Sequence, residues 1–236
     1  PGVGIEIPAD SAAASRRANY ALAVLFIVTR RKFLDRQVIW IVAEPIKRDL
    51  GLSDTQIGLM TGLSFAVFYT TLAIPLAALA DRWNRSRIIA IAIAVWSLMT
   101  VLCGLAGNFV QLFLARVGVG IGEAGSAPAS HSLIADLFPP ERRAGALGIV
   151  GASVPVGAFL AYAGGGYITE MFSWRAAFLL AGLPGILVAI AIWFTVPDPR
   201  GNVSIASAFR PRVGEMTLRA ALLELSRKPA YWHLVA

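Results

Sequence analysis

Apolar runs of about 20 residues, long enough to cross a hydrocarbon core, recur along this chain with short polar breaks between them. Six stand out: residues 19–43, 55–80, 88–107, 109–138, 144–168 and 174–197. The breaks read KRDLGLSD, DRWNRSR, GN, PPERR and EMFS. Each run is predicted to be a helix, because backbone groups in lipid must be satisfied within their own segment. The fourth is long enough to protrude beyond a bilayer. Residues 1–18 are small and polar and read as a disordered tail. Residues 198–228 form a charged connector. Within it, MTLRAALLELSRK places Leu218, Leu222 and Leu225 at a helix period, so this piece is predicted to lie flat on a membrane face. PAYWHLVA (229–236) reads as the start of a seventh span.

Composition agrees with this pattern. Of 236 residues, 57% are hydrophobic and only 15% charged, where a soluble domain carries about a quarter charged. The reading is an all-α integral membrane protein that contacts the lipid bilayer. The net charge of +7 is explained by where the bases lie. Thirteen Lys and Arg residues fall in the tail, the second and fourth breaks and the connector, against three (Lys47, Arg48, Arg175) in the other breaks. By the positive-inside rule the tail and connector are cytoplasmic, and no nucleic-acid partner is required. One cysteine, Cys103, sits in an apolar run and reads as a buried small residue. With two histidines and one cysteine, no metal site and no cofactor are expected.

Ionisable residues inside spans are costly and mark pathways. Span four holds Arg116 and Glu123. Seven residues make nearly two turns, so they share a face, about 10 Å apart, with Gly120 between them. Gly118, Gly122 and Gly125 mark a different face, suited to close helix contact, and Pro128 is expected to kink the helix. Asp35 of span one lies roughly 12 Å from the outer end, between Arg116 at roughly 9 Å and Glu123 at roughly 20 Å. If the two helices face each other, Arg116 can pair with either acid. A carboxylate beside an arginine stays ionised, and one left alone in a dry cavity takes up a proton. Moving one arginine between two acids would therefore couple protons to shape; a fixed structural salt bridge is the alternative. His131 reads as a polar residue near the interface. Ser126 and His131 lie about 140° apart on a helix, so they do not form a nucleophile–base pair, and no enzyme signature is present.

Several segments together identify a family. PLAALADRWNRSR (75–87) is similar to the signature between helices two and three of the major facilitator superfamily. Asp81, Arg82, Arg85 and Arg87 match it; Ala77 and Asn84 stand where that signature has glycine. FLARVGVGIGEAG (113–125) resembles the helix-four signature, and WRAAFLLAGLPGIL (174–187) resembles a helix-six opening. FLDRQ on span one, GVGIGEAG on span four and HSLIADLFPPERRA at its exit resemble the Spinster-like branch, which includes sphingosine-1-phosphate and lysolipid transporters. FLDR (33–36) and FLAR (113–116) agree at three of four positions, as expected if helices one and four are repeats.

The resemblance implies the N-terminal six-helix half of a twelve-helix transporter, built from two three-helix inverted repeats, with the C-terminal half as partner. It implies a proton-coupled carrier that works by alternating access, with protons and a small amphipathic, lipid-like molecule as its ligands. Drug export or transport of small organic anions is the alternative. It places proton coupling on Asp35, Arg116 and Glu123. It also implies a cytoplasmic charge latch of Asp81 with Arg82, Arg85 and Arg142; a merely positive-inside loop is the alternative.

TRRK (29–32) departs from the resemblance, which has tyrosine, asparagine and apolar residues before this aspartate. Three bases near the bilayer centre cost about 8–10 kcal/mol on insertion scales. Arg31 and Lys32 are i−4 and i−3 from Asp35 and share its face, whereas Arg30 does not. Either Arg31 and Lys32 bind an anionic headgroup, or residues 29–32 depart from the natural sequence.

Overall fold

The structure, a computed structural model, describes residues 9–196, Asp198 and Pro199. The connector helix and the seventh span expected from sequence lie outside the described residues, as does the side chain of Asp81. The elements are α1 (Ala9–Ile41), α2 (Ala43–Leu50), α3 (Asp54–Gly58), a π-helical turn (Leu59–Leu63), α4 (Ser64–Arg82), α5 (Arg85–Leu105), α6 (Phe109–Ala124), α7 (Ser126–Leu137), α8 (Pro140–Met171) and α9 (Trp174–Thr195).

These elements account for all six runs. Among the described residues, four helical stretches are long and apolar enough to cross a membrane: Asp54–Ala80, Arg85–Leu105, Pro140–Met171 and Trp174–Thr195. Span one is the continuous helix α1, whose charged middle keeps it from reading as apolar. It begins at Ala9 and so takes in residues 9–18, which were expected to be a disordered tail. That stretch is rich in alanine, the strongest helix former. Span four is two helices, α6 and α7, broken at Gly125. The break precedes Pro128 by three residues because proline has no N–H for the carbonyl of residue 124 and crowds it.

The polar breaks supply the caps. Asn84 accepts a hydrogen bond from Arg87 N (2.9 Å), Asn108 from Gln111 N (3.0 Å) and Ser173 from Ala176 N (3.1 Å). Each satisfies an otherwise orphan donor of a first turn. Asn84, a departure from the family signature, is thus the N-cap of α5. In span two, Thr61 and Ser64 hydroxyls donate to the carbonyls of Ile57 (2.9 Å) and Met60 (2.6 Å) around the π-helical turn.

Packing joins α1 to α8, α4 to α6, α5 to α9, α5 to α6 and α1 to α9. Exchanging the first three spans for the last three turns the α1–α8 contact into the α6–α4 contact. It also turns α5–α6 into α9–α1 and leaves α5–α9 unchanged. The contacts therefore have the internal symmetry that two three-helix repeats require.

Two apolar clusters fill the bundle. One, around Leu25, Ile89, Ile93, Trp96 and Leu133, lies toward the end that carries Arg85 and Arg142. The other, around Ile39, Val42, Met60, Leu112 and Phe178, lies toward the end that carries Lys47 and Arg175. Cys103 is buried and free in the second. Between the clusters runs a polar layer: residues 30–36 of α1, Ser97 and Thr100 of α5, and Arg116 of α6. Close backbone contact holds this layer together. A Cβ on Gly122 would lie 2.7 Å from Trp96 N, and one on Gly157 would lie 2.3 Å from the Arg30 carbonyl oxygen. Only glycine lets α6 approach α5, and α8 approach α1, at those points.

Candidate functional site: a charged layer across the bundle

The three residues predicted to couple protons are all buried in this layer: Asp35 and Glu123 at 0% exposure and Arg116 at 1%. The charges close enough to act on Asp35 are Arg31, Glu123 and Arg116, so the structure gathers the trio. Their pairing differs from the one expected. Glu123 Oε2 accepts a hydrogen bond from Arg36 Nη2 at 2.7 Å. Asp35 Oδ1 lies 3.8 Å from Arg31 Nη2, an ion pair too long to be a hydrogen bond. Among the described residues, Arg116 Nε and Nη1, Glu123 Oε1 and both Asp35 oxygens have no hydrogen-bond partner.

Arg36 is the member that the sequence reading passed over as a partner. The signal was present: it is the next residue to Asp35 in mid-span, and a mid-span cation needs an acid to offset its burial. The neighbouring helix α6 supplies one. Arg36 also sits over the rings of Phe33 (5.3 Å) and Tyr69 (5.4 Å). Gly118 and Gly122 pack α6 against Met99 and Trp96 of α5. This is the packed face that the glycine spacing predicted.

The structure separates the two candidate headgroup ligands. Arg31 turns to α9, where its Nη2 donates to the Ala181 carbonyl. Lys32 turns the other way, with Nζ 3.4 Å from the Tyr69 hydroxyl and 5.1 Å from its ring centre. Lys32 borders a cavity of about 360 Å³ between α1, α4, α7 and α8, which Ser130 and His131 also line.

At the basic end, Arg85 is fully buried. It reaches Asp136 at the end of α7 (2.8 Å) and Asp198 beyond α9 (3.8 Å), and its backbone N–H donates to Asp198 (2.5 Å). Of the expected latch, Arg85 thus joins three spans through acids not singled out from sequence. Arg142 is exposed, and its backbone N–H donates to the Pro139 carbonyl (2.9 Å). At the opposite end, Asp49 accepts from Arg175 Nη1 (2.5 Å) and Trp174 Nε1 (3.1 Å). These bonds hold its carboxyl below the usual range.

The profile of the Major Facilitator Superfamily matches residues 25–236. The chain belongs to this superfamily. An MFS-type efflux pump of Mycolicibacterium smegmatis is 36% identical over 94% of the chain and 50% of that protein. The hexuronate transporter of Bacillus subtilis is 32% identical over 78% of the chain and 43% of that protein. A crystal structure of a bacterial homologue of the human lysosomal transporter Spinster, inward-facing and unoccupied, superposes with a TM-score of 0.72 at 38% identity, over 92% of the chain and 50% of that protein. The resemblance to the Spinster-like branch holds in the solved structures, and the chain spans about half the length of the curated relatives it matches. Its relatives are membrane transporters, not enzymes.

Proposed function

We propose that this chain forms one half of a proton-coupled secondary transporter that works by alternating access and carries an amphipathic, lipid-like substrate. The observation that carries the reading is the layer of two buried acids and three arginines (Arg31, Arg36 and Arg116) across the middle of the bundle. A buried ionic cluster with unsatisfied atoms is a poor fixed brace, since each unmade bond costs about 1–3 kcal/mol. It is well suited to exchange partners. A proton on Glu123 cancels its charge and releases Arg36; Arg116, with open donor positions, can then take whichever acid remains ionised. Asp35, Arg116 and Glu123 keep their proposed coupling roles, with Arg36 added.

The basic end is placed in the cytoplasm by the excess of Lys and Arg there. Arg85, with Asp136 and Asp198, then serves the cytoplasmic latch, together with Asp81, Arg82 and Arg142 of the same end. A second reading, drug export or transport of small organic anions, draws on the efflux pump and the hexuronate transporter among the relatives.

The test uses the full-length protein in liposomes with a pH-sensitive dye inside. Adding a lysolipid is expected to move protons with the intact protein and not with Asp35→Asn. A signal unchanged in Asp35→Asn would overturn the role given to Asp35. No signal with lysolipid, but one with a hexuronate, would replace the lipid by the small anion.

A further inference from the structure

The polar layer is electrostatically incomplete. Five bases lie within the spans there (Arg30, Arg31, Lys32, Arg36 and Arg116) against two acids, Asp35 and Glu123. Both acids already face arginines. Lys32 is 6% exposed and, among the described residues, has no acid within ion-pair distance. A buried ammonium is expensive unless an anion offsets it. The Tyr69 hydroxyl and ring steady Lys32 but carry no charge to offset it.

The space beside Lys32 can hold such an anion. The cavity of about 360 Å³ is lined by Lys32 of α1, Tyr69 of α4, Ser130 and His131 of α7, and the apolar Leu147 and Val150 of α8. Its lining thus combines one base and several polar groups with apolar side chains. We propose that this cavity is an anion subsite, in which Lys32 takes the phosphate or carboxylate of the transported molecule. The proposal rests on the transport reading and names the chemistry of its substrate: a negatively charged group, carried by an amphiphile or by a small free acid. Arg31 is not part of the subsite, because its guanidinium is engaged by Ala181 and Asp35 on the far side of α1.

The test reads binding rather than transport, so it stands or falls separately from proton coupling. Full-length protein, with residues 29–32 confirmed by peptide mass spectrometry, is placed in zwitterionic nanodiscs. Its tryptophan fluorescence is titrated with three probes: 1-oleoyl lysophosphatidic acid, uncharged monooleoylglycerol, and glycerol phosphate. Lys32→Met is expected to weaken lysophosphatidic acid by about tenfold or more, the scale of a lost charge-assisted hydrogen bond. Lys32→Arg is expected to preserve it, and monooleoylglycerol binding should be equal in all three proteins, which also shows that Lys32→Met is folded. Glycerol phosphate that binds in a Lys32-dependent way identifies a small free anion as sufficient; Lys32-dependent binding only when the tail is attached identifies a lipid headgroup. Equal lysophosphatidic acid affinity in wild type and Lys32→Met would overturn the proposal, even if proton flux is intact. Lys32-dependent binding without any proton flux would uphold the subsite while removing the coupling reading.

Discussion

Arg36 Nη2 of α1 and Glu123 Oε2 of α6 are 2.7 Å apart, although the two residues are 87 positions apart in the chain. Glu123 is wholly buried and Arg36 about a quarter exposed, so one partner is sealed in the bundle while the other reaches toward its surface. On the proposed coupling reading, a proton on Glu123 would cancel the charge that holds this contact. Glu123→Gln is expected to keep the shape of the contact and abolish its charge. Proton movement on adding substrate should vanish, while exchange of labelled for unlabelled substrate, which needs no net proton transfer, should persist. Loss of exchange as well would show that Glu123 acts in folding or substrate binding rather than in coupling.

Arg36 should be harder to replace than its exposure implies. Arg36→Ala leaves the buried Glu123 carboxylate without its hydrogen-bonded cation, and coupled transport is expected to fall by about tenfold or more. Arg36→Lys restores the charge but not the planar fork, and should recover part of the loss. Equal activity of wild type and Arg36→Ala, measured in liposomes, would argue that Arg116 is the working partner of Glu123.

The contact between α6 and α5 separates two glycines that look alike in sequence. A Cβ at Gly118 would meet Met99 Cγ and Sδ at 2.6 Å, atoms of a flexible side chain that can swing away. A Cβ at Gly122 would meet the backbone of Trp96 at 2.7 Å, which cannot move without shifting the helix. Gly122→Ala is therefore expected to cost about 1–3 kcal/mol of overpacking, while Gly118→Ala costs little. The check is the unfolding temperature of each full-length variant in detergent; similar losses at both positions would contradict this difference.

These contrasts show where the sequence was readable. Span positions follow from the apolar runs, whereas the capping roles of Asn84, Asn108 and Ser173 within the polar breaks emerge only from the structure. Depth and helical phase allowed Asp35, Arg116 and Glu123 to meet if spans one and four face each other, and the family resemblance pointed to the same three. Choice of partner did not, because depth cannot say which of several arginines swings toward which acid. Arg31 and Lys32 are adjacent and looked equivalent, yet the packing of α9 on one side and the cavity on the other sends them apart. Asp136 and Asp198 were invisible as partners of Arg85 because their approach depends on how α7 and the segment after α9 fold back on α5. The break at Gly125 fell three residues before the proline that causes it.

Arg85 and Asp198 make the basic end sensitive to single changes. Both side chains are fully buried, and their charges are 3.8 Å apart. Arg85→Met removes the buried guanidinium beside Asp198 while keeping the backbone hydrogen bond to that carboxylate, and the melting temperature is expected to fall. The double change Arg85→Met with Asp198→Asn should be less damaging than Arg85→Met alone, because it also removes the negative charge that the buried guanidinium faced. Melting temperatures of the three variants decide it, and a double variant worse than the single would mean that Asp198 supports the fold through its bond to the α5 backbone instead.

At the opposite end, Asp49 ties the loop between spans one and two to the start of α9. Arg175 also donates to the Ala106 carbonyl (3.3 Å) and lies 4.2 Å from the Trp174 ring centre, so one carboxylate orders the ends of several spans. The hydrogen bond from Arg175, then that from Trp174, lowers the Asp49 carboxyl below its ordinary value of 3.8. A carboxyl lowered on folding stabilises the folded state above its ordinary value, and that contribution is lost as pH falls through the lowered one. Stability of the full-length protein should thus hold down to about pH 4 and then drop on further acidification, in part through this group. Asp49→Asn should start from a lower melting temperature at pH 7 and show a shallower acid decline. An acid profile of the same slope in wild type and Asp49→Asn would assign the decline to other carboxylates and leave the Asp49 tie without a measurable share.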